Sequence, residues 1–142
     1  KRLSAAAIRN PVTDVSSMRF ETDIGDWCLA ESGAANDNSD DVFYGNEVRA
    51  REIMSKNNPL LVVDSVQTPI LMGLGLGDLR VPPFQGRSWA KAVRYNKHRP
   101  EVKLLEYEKD SHALDSPTTE TEFAIQTLMF FEKHSARSQD EQ

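Results

Sequence analysis

Short apolar runs and amphipathic stretches alternate along the second half of the chain. Residues 68–75 (TPILMGLG) form a continuous apolar run that opens with proline and closes with glycine, which is typical of a strand covered on both faces in a parallel sheet. Residues 84–100 repeat apolar side chains at helical spacing, with Trp89 and Val93 on one face. Residues 101–107 (EVKLLEY) predict the next strand.

A second helix is predicted after this strand. Ser116 is a favourable N-cap residue and Pro117 suits the first helical position. This helix would carry Ala124, Leu128 and Phe131 on one stripe. The succession of strand, helix, strand and helix predicts an α/β fold, in which parallel strands are joined by crossover helices on the faces of the sheet.

The first half of the chain is less regular. An apolar stretch near the N-terminus breaks at Asn10-Pro11, which indicates the end of a buried element. Residues 31–41 are small, polar and acidic and predict an exposed loop. The second half of residues 42–57 predicts a helix. With 142 residues, the chain has the length of one domain.

Composition and charge narrow the classes of function. The net charge of −5 and the scattered basic residues argue against a nucleic-acid partner. No apolar stretch approaches the roughly 20 residues that span a bilayer, so no membrane partner is expected. Cys28 is the single cysteine and reads as a small buried residue, and no cysteine and histidine cluster predicts a metal. A cytoplasmic location is expected.

Three alternate glycines, Gly73, Gly75 and Gly77, precede Asp78 at the end of the first predicted strand. A dinucleotide-binding fingerprint that starts at Gly73 requires glycine at position 78, where this chain has aspartate. A carboxylate there would repel a pyrophosphate. The segment therefore predicts a sharp turn that presents Asp78, not a phosphate site.

His112 lies in the equivalent loop after the next predicted strand. Because neighbouring parallel strands lie ~5 Å apart, the two loops can bring Asp78 and His112 into hydrogen-bond reach. An aspartate that orients a histidine is two thirds of a catalytic triad, which α/β-hydrolases carry in the order serine, acid, histidine. No G-x-S-x-G nucleophile motif occurs in the sequence. His98 and His134 are predicted to face solvent.

These loops resemble the catalytic domain of acylaminoacyl peptidases, within the prolyl oligopeptidase family of serine peptidases. The similarity extends from about Ile8 to Phe131, and its segments are 8–18 (IRNPVTDVSSM), 22–33 (TDIGDWCLAESG), 66–86 (VQTPILMGLGLGDLRVPPFQG) and 102–117 (VKLLEYEKDSHALDSP). The resemblance implies that residues 1–142 are the C-terminal part of one α/β-hydrolase domain. The serine motif and a β-propeller are then expected upstream.

The resemblance also implies roles for particular residues. Asp78 matches the catalytic acid, His112 the general base, and Arg80 an arginine that binds a backbone carbonyl of the substrate. Val81 resembles a residue of the pocket for the side chain before the scissile bond, and Trp27 resembles either such a residue or a core residue. An ion pair with Asp78 or another carboxylate is the alternative for Arg80. No cofactor or metal is implied.

The implied activity is that of a serine peptidase which releases an N-acylated amino acid from a short peptide through an acyl-enzyme. These residues alone would supply only the acid and the base. Two alternatives stay open: another α/β-hydrolase, such as an esterase or an oligopeptide or dipeptidyl peptidase, and an inert binding or structural piece. The edge of a truncated sheet would favour self-association, so a homo-oligomer is also considered.

Overall fold

A three-stranded parallel sheet organises the residues described by the computed structural model, which are 3–34 and 47–137. Its strands lie in the order β1, β2, β3, with β1 at Ala6–Arg9, β2 at Ile70–Gly75 and β3 at Val102–Tyr107. Ile70 pairs with Ala6 on one side and with Val102 on the other. The three carboxyl ends therefore open at one edge of the sheet.

In the described ranges, helices lie in the two connections between the strands and after the last strand. They are α1 at Val15–Met18, α2 at Gly25–Glu31, α3 at Glu47–Lys56, a 3-10 helix at Pro59–Ser65, α4 at Phe84–Tyr95 and α5 at Pro117–Arg137. The predicted α/β class, both predicted strands and the helix within residues 42–57 are confirmed. Most of the loop predicted at 31–41 lies outside the described residues. In the described part of the chain, no helix has both the length and the apolar character needed to cross a bilayer.

The central strand β2 is buried along its whole length. Leu71 belongs to the apolar cluster beneath α5, whereas Met72 and Leu74 belong to the cluster beneath α4. Each large aliphatic side chain buried in this way contributes about 1.5–3 kcal/mol. Gly86 allows α4 to approach closely, because a Cβ atom there would lie 2.5 Å from Leu74 Cδ2. The continuous apolar run of the sequence thus corresponds to a strand covered by helices on both faces.

A third cluster joins α1, α2 and α3 beside the carboxyl edge of the sheet. Its fully buried members include Met18, Cys28, Leu29 and Met54. Cys28 is free and completely buried, so the prediction of a small buried residue is confirmed. Burial raises the pKa of its thiol. Val81 also packs in this cluster, and it therefore connects the loop after β2 to the helical layer.

The apolar stripe predicted for α5 is not the face that packs on the sheet. Leu128 is 64% exposed, and Ala124 and Phe131 are also exposed, whereas Phe123 and Phe130 face the sheet. Ile125 and Met129 are exposed as well. Apolar residues extend around much of this helix, so spacing alone cannot select the buried face.

The prediction that His134 faces solvent is wrong. Its side chain is only 5% exposed, its ring lies 4.6 Å from that of Phe130, and Nε2 lies 3.3 Å from Glu101 Oε2. The neighbours of this buried imidazole are thus the Phe130 ring and the carboxylate of Glu101, the residue before β3. His98 is exposed, as predicted.

Candidate active site

Asp78 is held by the backbone of its own turn. Its side chain is fully buried, and Oδ1 accepts hydrogen bonds from the backbone N–H groups of Arg80 and Val81, each at 2.9 Å. These two donors fix the plane of the carboxylate and direct Oδ2 away from the turn. A short polar side chain that bonds backbone N–H groups ahead of it is common in turns, so the local sequence is sufficient to produce this arrangement.

His112 supplies the partner of the second oxygen. Its Nδ1 lies 2.9 Å from Asp78 Oδ2, and its side chain is 45% exposed. An ionised carboxylate only accepts hydrogen bonds, so this contact matches the His112 tautomer that carries its proton on Nδ1 and leaves Nε2 as the acceptor. Within residues 3–34 and 47–137, Nε2 makes no hydrogen bond. The pair thus presents an oriented, accessible base.

The alternate glycines have a steric role. A Cβ atom at Gly75 would collide with the carbonyl oxygen of Ser111 and would lie 2.8 Å from that of Asp110. The Gly77 N–H donates to the same Asp110 carbonyl at 2.9 Å. The loop that carries His112 therefore lies directly on the end of β2, and only a residue without a side chain fits beneath it.

Asp110 connects this loop to α5. It is buried and accepts hydrogen bonds from the Ser116 hydroxyl at 2.6 Å, the Ser116 N–H at 3.1 Å and the Thr119 hydroxyl. These bonds, from the Ser116 hydroxyl first and then from Thr119, lower the pKa of Asp110. Ser116 does precede the helix, and its carbonyl accepts from the Glu120 N–H. Its hydroxyl, however, donates to Asp110 and does not cap the helix.

Leu114 anchors the other side of the same loop. Its side chain is completely buried beneath α5, although its φ of +49° is a left-handed conformation that a leucine rarely adopts. Apolar burial stabilises this unfavourable backbone conformation. His112 thus lies between two fixed points, Asp110 and Leu114.

Asn10 approaches the same loop from the end of β1. Its Oδ1 accepts from the Gly75 N–H at 2.9 Å, and its Nδ2 donates to the carbonyl oxygens of His112 at 2.7 Å and Ser111 at 3.3 Å. Sequence reasoning treated Asn10-Pro11 only as the end of an element and missed these contacts. An amide that ends a strand at the carboxyl edge was the available signal.

Gln85 was also missed. Its buried side chain accepts from the backbone N–H groups of Thr13 and Asp14 and donates to the Asp14 carbonyl. The start of α4 is thereby joined to the segment that follows β1. A buried glutamine in the first turn of an amphipathic helix gives no distinctive sequence signal, because glutamine is common on exposed helix surfaces.

Two cavities meet at His112 and Arg80. The more polar cavity, of about 350 Å³, is also lined by Asp78 and Asp23. The more apolar one, of about 370 Å³, is lined by Trp27, Arg80, Val81 and His112, with Asn10, Val12, Met18 and Ile24 completing the wall. Each of the five residues singled out from the sequence therefore lines at least one of the two cavities.

Arg80, in the loop after β2, and Trp27, in α2, both line the more apolar cavity. Arg80 is exposed, and in the described ranges no carboxylate oxygen lies within ion-pair distance of its guanidinium group. Trp27 is 38% exposed and is not a core residue. The described residues contain no group of three side chains that could hold a metal ion.

Comparisons with known proteins identify the family. The model of the prolyl oligopeptidase family of peptidases matches residues 1–138. The chain belongs to this family. Among curated members, it is 34% identical to mouse acylamino-acid-releasing enzyme and 37% identical to the Arabidopsis thaliana enzyme of the same name. Each alignment covers 92% of this chain, but only 17% of the mouse protein and 16% of the plant protein.

Solved structures give the same result for the fold. Pyrococcus horikoshii acylaminoacyl peptidase superposes with a TM-score of 0.70 at 23% identity, over 91% of this chain and 20% of the archaeal chain. The predicted α/β-hydrolase fold is thereby confirmed for this part of the domain. The chain thus spans about a sixth of the length of the mouse enzyme and a fifth of the archaeal chain.

Proposed function

We propose that the protein containing this chain is a serine peptidase that releases an N-acylated amino acid from the N-terminus of a short peptide. The observation that carries the proposal is the 2.9 Å contact between His112 Nδ1 and a fully buried Asp78 carboxylate, with the imidazole exposed at two cavities. The curated relatives named acylamino-acid-releasing enzyme support this choice of substrate.

The proposed reaction uses both nitrogens of His112. Nε2 takes the proton of a serine hydroxyl as the serine oxygen attacks the carbonyl carbon of the scissile bond, and Asp78 stabilises the resulting imidazolium through Nδ1. His112 then returns the proton to the leaving amine, and the C–N bond breaks. Water releases the N-acylated amino acid from the acyl-enzyme by the reverse sequence. The serine and the oxyanion-hole donors would come from parts of the protein outside these 142 residues.

The two cavities suit an acylated peptide. Arg80 presents five N–H donors that can hold a substrate carbonyl, and Trp27 and Val81 offer an apolar surface for a side chain. An esterase or another peptidase could use the same acid and base. Arg80 favours a peptide over a simple ester, because a simple aryl ester has no backbone carbonyl for Arg80 to bind. An inert binding piece would have no need of an exposed, oriented imidazole.

The test uses the full-length protein. Hydrolysis of acetyl-alanyl p-nitroanilide and of p-nitrophenyl acetate should be compared, and a fluorophosphonate probe should be located by peptide mapping. We expect anilide hydrolysis, a labelled serine outside residues 1–142, and a loss of at least about 10⁴-fold in kcat for His112→Ala. His98→Ala is the matched control, because this exposed histidine lies away from both cavities.

Three results would contradict the proposal. Hydrolysis of p-nitrophenyl acetate without hydrolysis of the anilide would show that the protein is an esterase and not a peptidase. Comparable activity of His112→Ala and His98→Ala would remove His112 as the base. A labelled residue within 1–142 would place the nucleophile in this chain.

A further inference from the structure

We propose that Asn10 is a positioning residue for the general base, since its side chain joins the strand end that leads to Asp78 to the backbone of His112. This inference rests on the proposed function. Asn10 is 5% exposed and makes three side-chain hydrogen bonds, one to the Gly75 N–H and two to the carbonyls of Ser111 and His112. The 2.7 Å bond to the His112 carbonyl is the shortest of the three.

Asn10 reaches both partners because β1 ends beside β2. Its backbone N–H donates to the Gly73 carbonyl at 2.9 Å, which continues the ladder between the two strands. Its φ of +38° then turns the chain out of the strand. Among residues with a side chain, asparagine is one of the few that tolerate this conformation.

An amide matches the polar groups at this place. The Gly75 N–H needs an acceptor, and the two loop carbonyls need donors; one amide supplies an acceptor oxygen and two N–H groups. Leucine, serine or aspartate would each leave at least one of these buried groups unpaired or repelled. A buried polar group without a hydrogen-bond partner is unfavourable, so the loop would shift to recover its bonds.

Such a shift would act on the distance between acid and base. Asp78 follows Gly75 by three residues, and the loop carbonyl bound by Asn10 belongs to His112 itself. Asn10, which directly follows β1, therefore fixes the position of the His112 imidazole relative to the Asp78 carboxylate. A displacement of about 1 Å can reduce turnover by about 10²-fold.

The chain offers a matched control in Asn96. This asparagine is 4% exposed, donates to the carbonyls of Val63 and Val66, and accepts from the N–H groups of His98 and Arg99. It lies at the C-terminus of α4, away from both cavities. Asn96→Ala therefore removes a similar set of buried hydrogen bonds without touching the His112 loop.

The first experiment measures kcat and KM of the full-length protein with acetyl-alanyl p-nitroanilide. For Asn10→Ala we expect kcat to fall by about 10²-fold with KM within about threefold of wild type. For Asn96→Ala we expect lower thermal stability and a kcat within about twofold of wild type. Equal losses of kcat in the two variants, or no loss in Asn10→Ala, would overturn the inference.

A second variant, Asn10→Asp, preserves the shape of the side chain. It keeps the oxygen that accepts from Gly75 and removes the N–H groups that donate to the loop carbonyls. At neutral pH the carboxylate can still accept from Gly75 but cannot donate to His112. As the pH falls and the introduced carboxyl takes up a proton, its O–H can donate again. We expect the ratio of wild-type to Asn10→Asp kcat to decrease with falling pH. A constant ratio would contradict a positioning role.

A third measurement is independent of catalysis. The proton on His112 Nδ1, hydrogen-bonded to Asp78, should give a low-field proton NMR resonance that is absent in His112→Ala. We expect this resonance to broaden or vanish in Asn10→Ala and to persist in Asn96→Ala; an unchanged resonance in Asn10→Ala would overturn the inference. If wild type hydrolyses neither substrate, the proposed function fails, and this resonance still tests the role of Asn10.

Discussion

The two ends of the sheet each bring together an acid and a histidine, with opposite patterns of burial. At the carboxyl end the Asp78 side chain is 0% exposed and that of His112 is 45% exposed. At the amino end Glu101 is 37% exposed and His134 only 5% exposed. A base must reach its substrate while its acid stays fixed, so only the first pair has the arrangement that proton transfer requires.

The surroundings of the two acids reinforce this difference. Asp78 accepts two backbone N–H groups of its own turn, which leaves one oxygen for His112. Glu101 also accepts from Lys133 Nζ at 2.7 Å and lies partly in solvent. An exposed ion pair of this kind contributes only about 0–1 kcal/mol. The amino-end pair links α5 to the residue before β3, whereas the burial of Asp78 and the exposure of His112 suit the proton transfer proposed for the carboxyl-end pair.

The largest difference between the two ends of the sheet is expected when the acid of each pair, Asp78 or Glu101, is replaced by its amide. In the full-length protein, Asp78→Asn should lower kcat/KM for the acyl-peptide substrate on the order of 10⁴-fold. The amide oxygen can keep the bonds to Arg80 and Val81, but the amide nitrogen donates to His112 Nδ1 and so forces the proton onto Nε2. Steady-state kinetics measure this loss, and circular dichroism checks that the fold is intact.

Glu101→Gln is the control at the amino end. It should leave kcat/KM within about twofold of wild type, since its histidine partner is buried far from the cavities. A near-normal kcat/KM in Asp78→Asn, or equal losses of kcat/KM in Asp78→Asn and Glu101→Gln, would contradict the different roles inferred for the two pairs.

A smaller effect is expected from the glycines beneath the histidine loop. A Cβ atom at Gly75 collides with the Ser111 carbonyl, whereas one at Gly77 would lie 3.2 Å from the Asp110 carbonyl. Gly75→Ala should therefore displace the loop and reduce kcat by about 10²-fold or more. Gly77→Ala needs only a slight adjustment and should retain most activity. The same substrate assay measures both, and a larger loss in Gly77→Ala would contradict the steric explanation.

The smallest effect is expected in the acid stability of the loop. The pKa of Asp110 is lowered in the folded protein, so its stabilisation is complete above the ordinary aspartate range of about pH 4 and is lost as the pH falls through the lowered value. Thermal melts of wild type and Asp110→Asn should therefore differ by a few degrees near neutral pH and converge in acid.

Asp115 offers the control for this measurement, because it is an exposed aspartate of the same segment. The melting difference between wild type and Asp115→Asn should be small and should change little with pH. A gap between wild type and Asp110→Asn that stays constant or widens in acid would contradict the role assigned to the Asp110 carboxylate.

Strand β2 and the two loops could be predicted because local features specify them. A fully buried strand needs a continuous apolar run, and Asp78 and His112 follow neighbouring strands in chain order. The buried face of α5 and the burial of His134 could not be predicted in this way. Both depend on which side of a largely apolar helix meets the sheet, and residues distant in sequence decide that.

The sequence by itself determined the α/β pattern, the family and the pair of loops that carry an acid and an imidazole. Only the tertiary structure decided that Asn10, 65 residues before Gly75, binds both the end of β2 and the loop that carries His112. It also decided that one acid and histidine pair exposes its imidazole and the other buries it. The spacing of apolar residues along the sequence indicates which elements pack against the sheet. Hydrogen bonds between distant segments depend instead on how those elements pack in three dimensions.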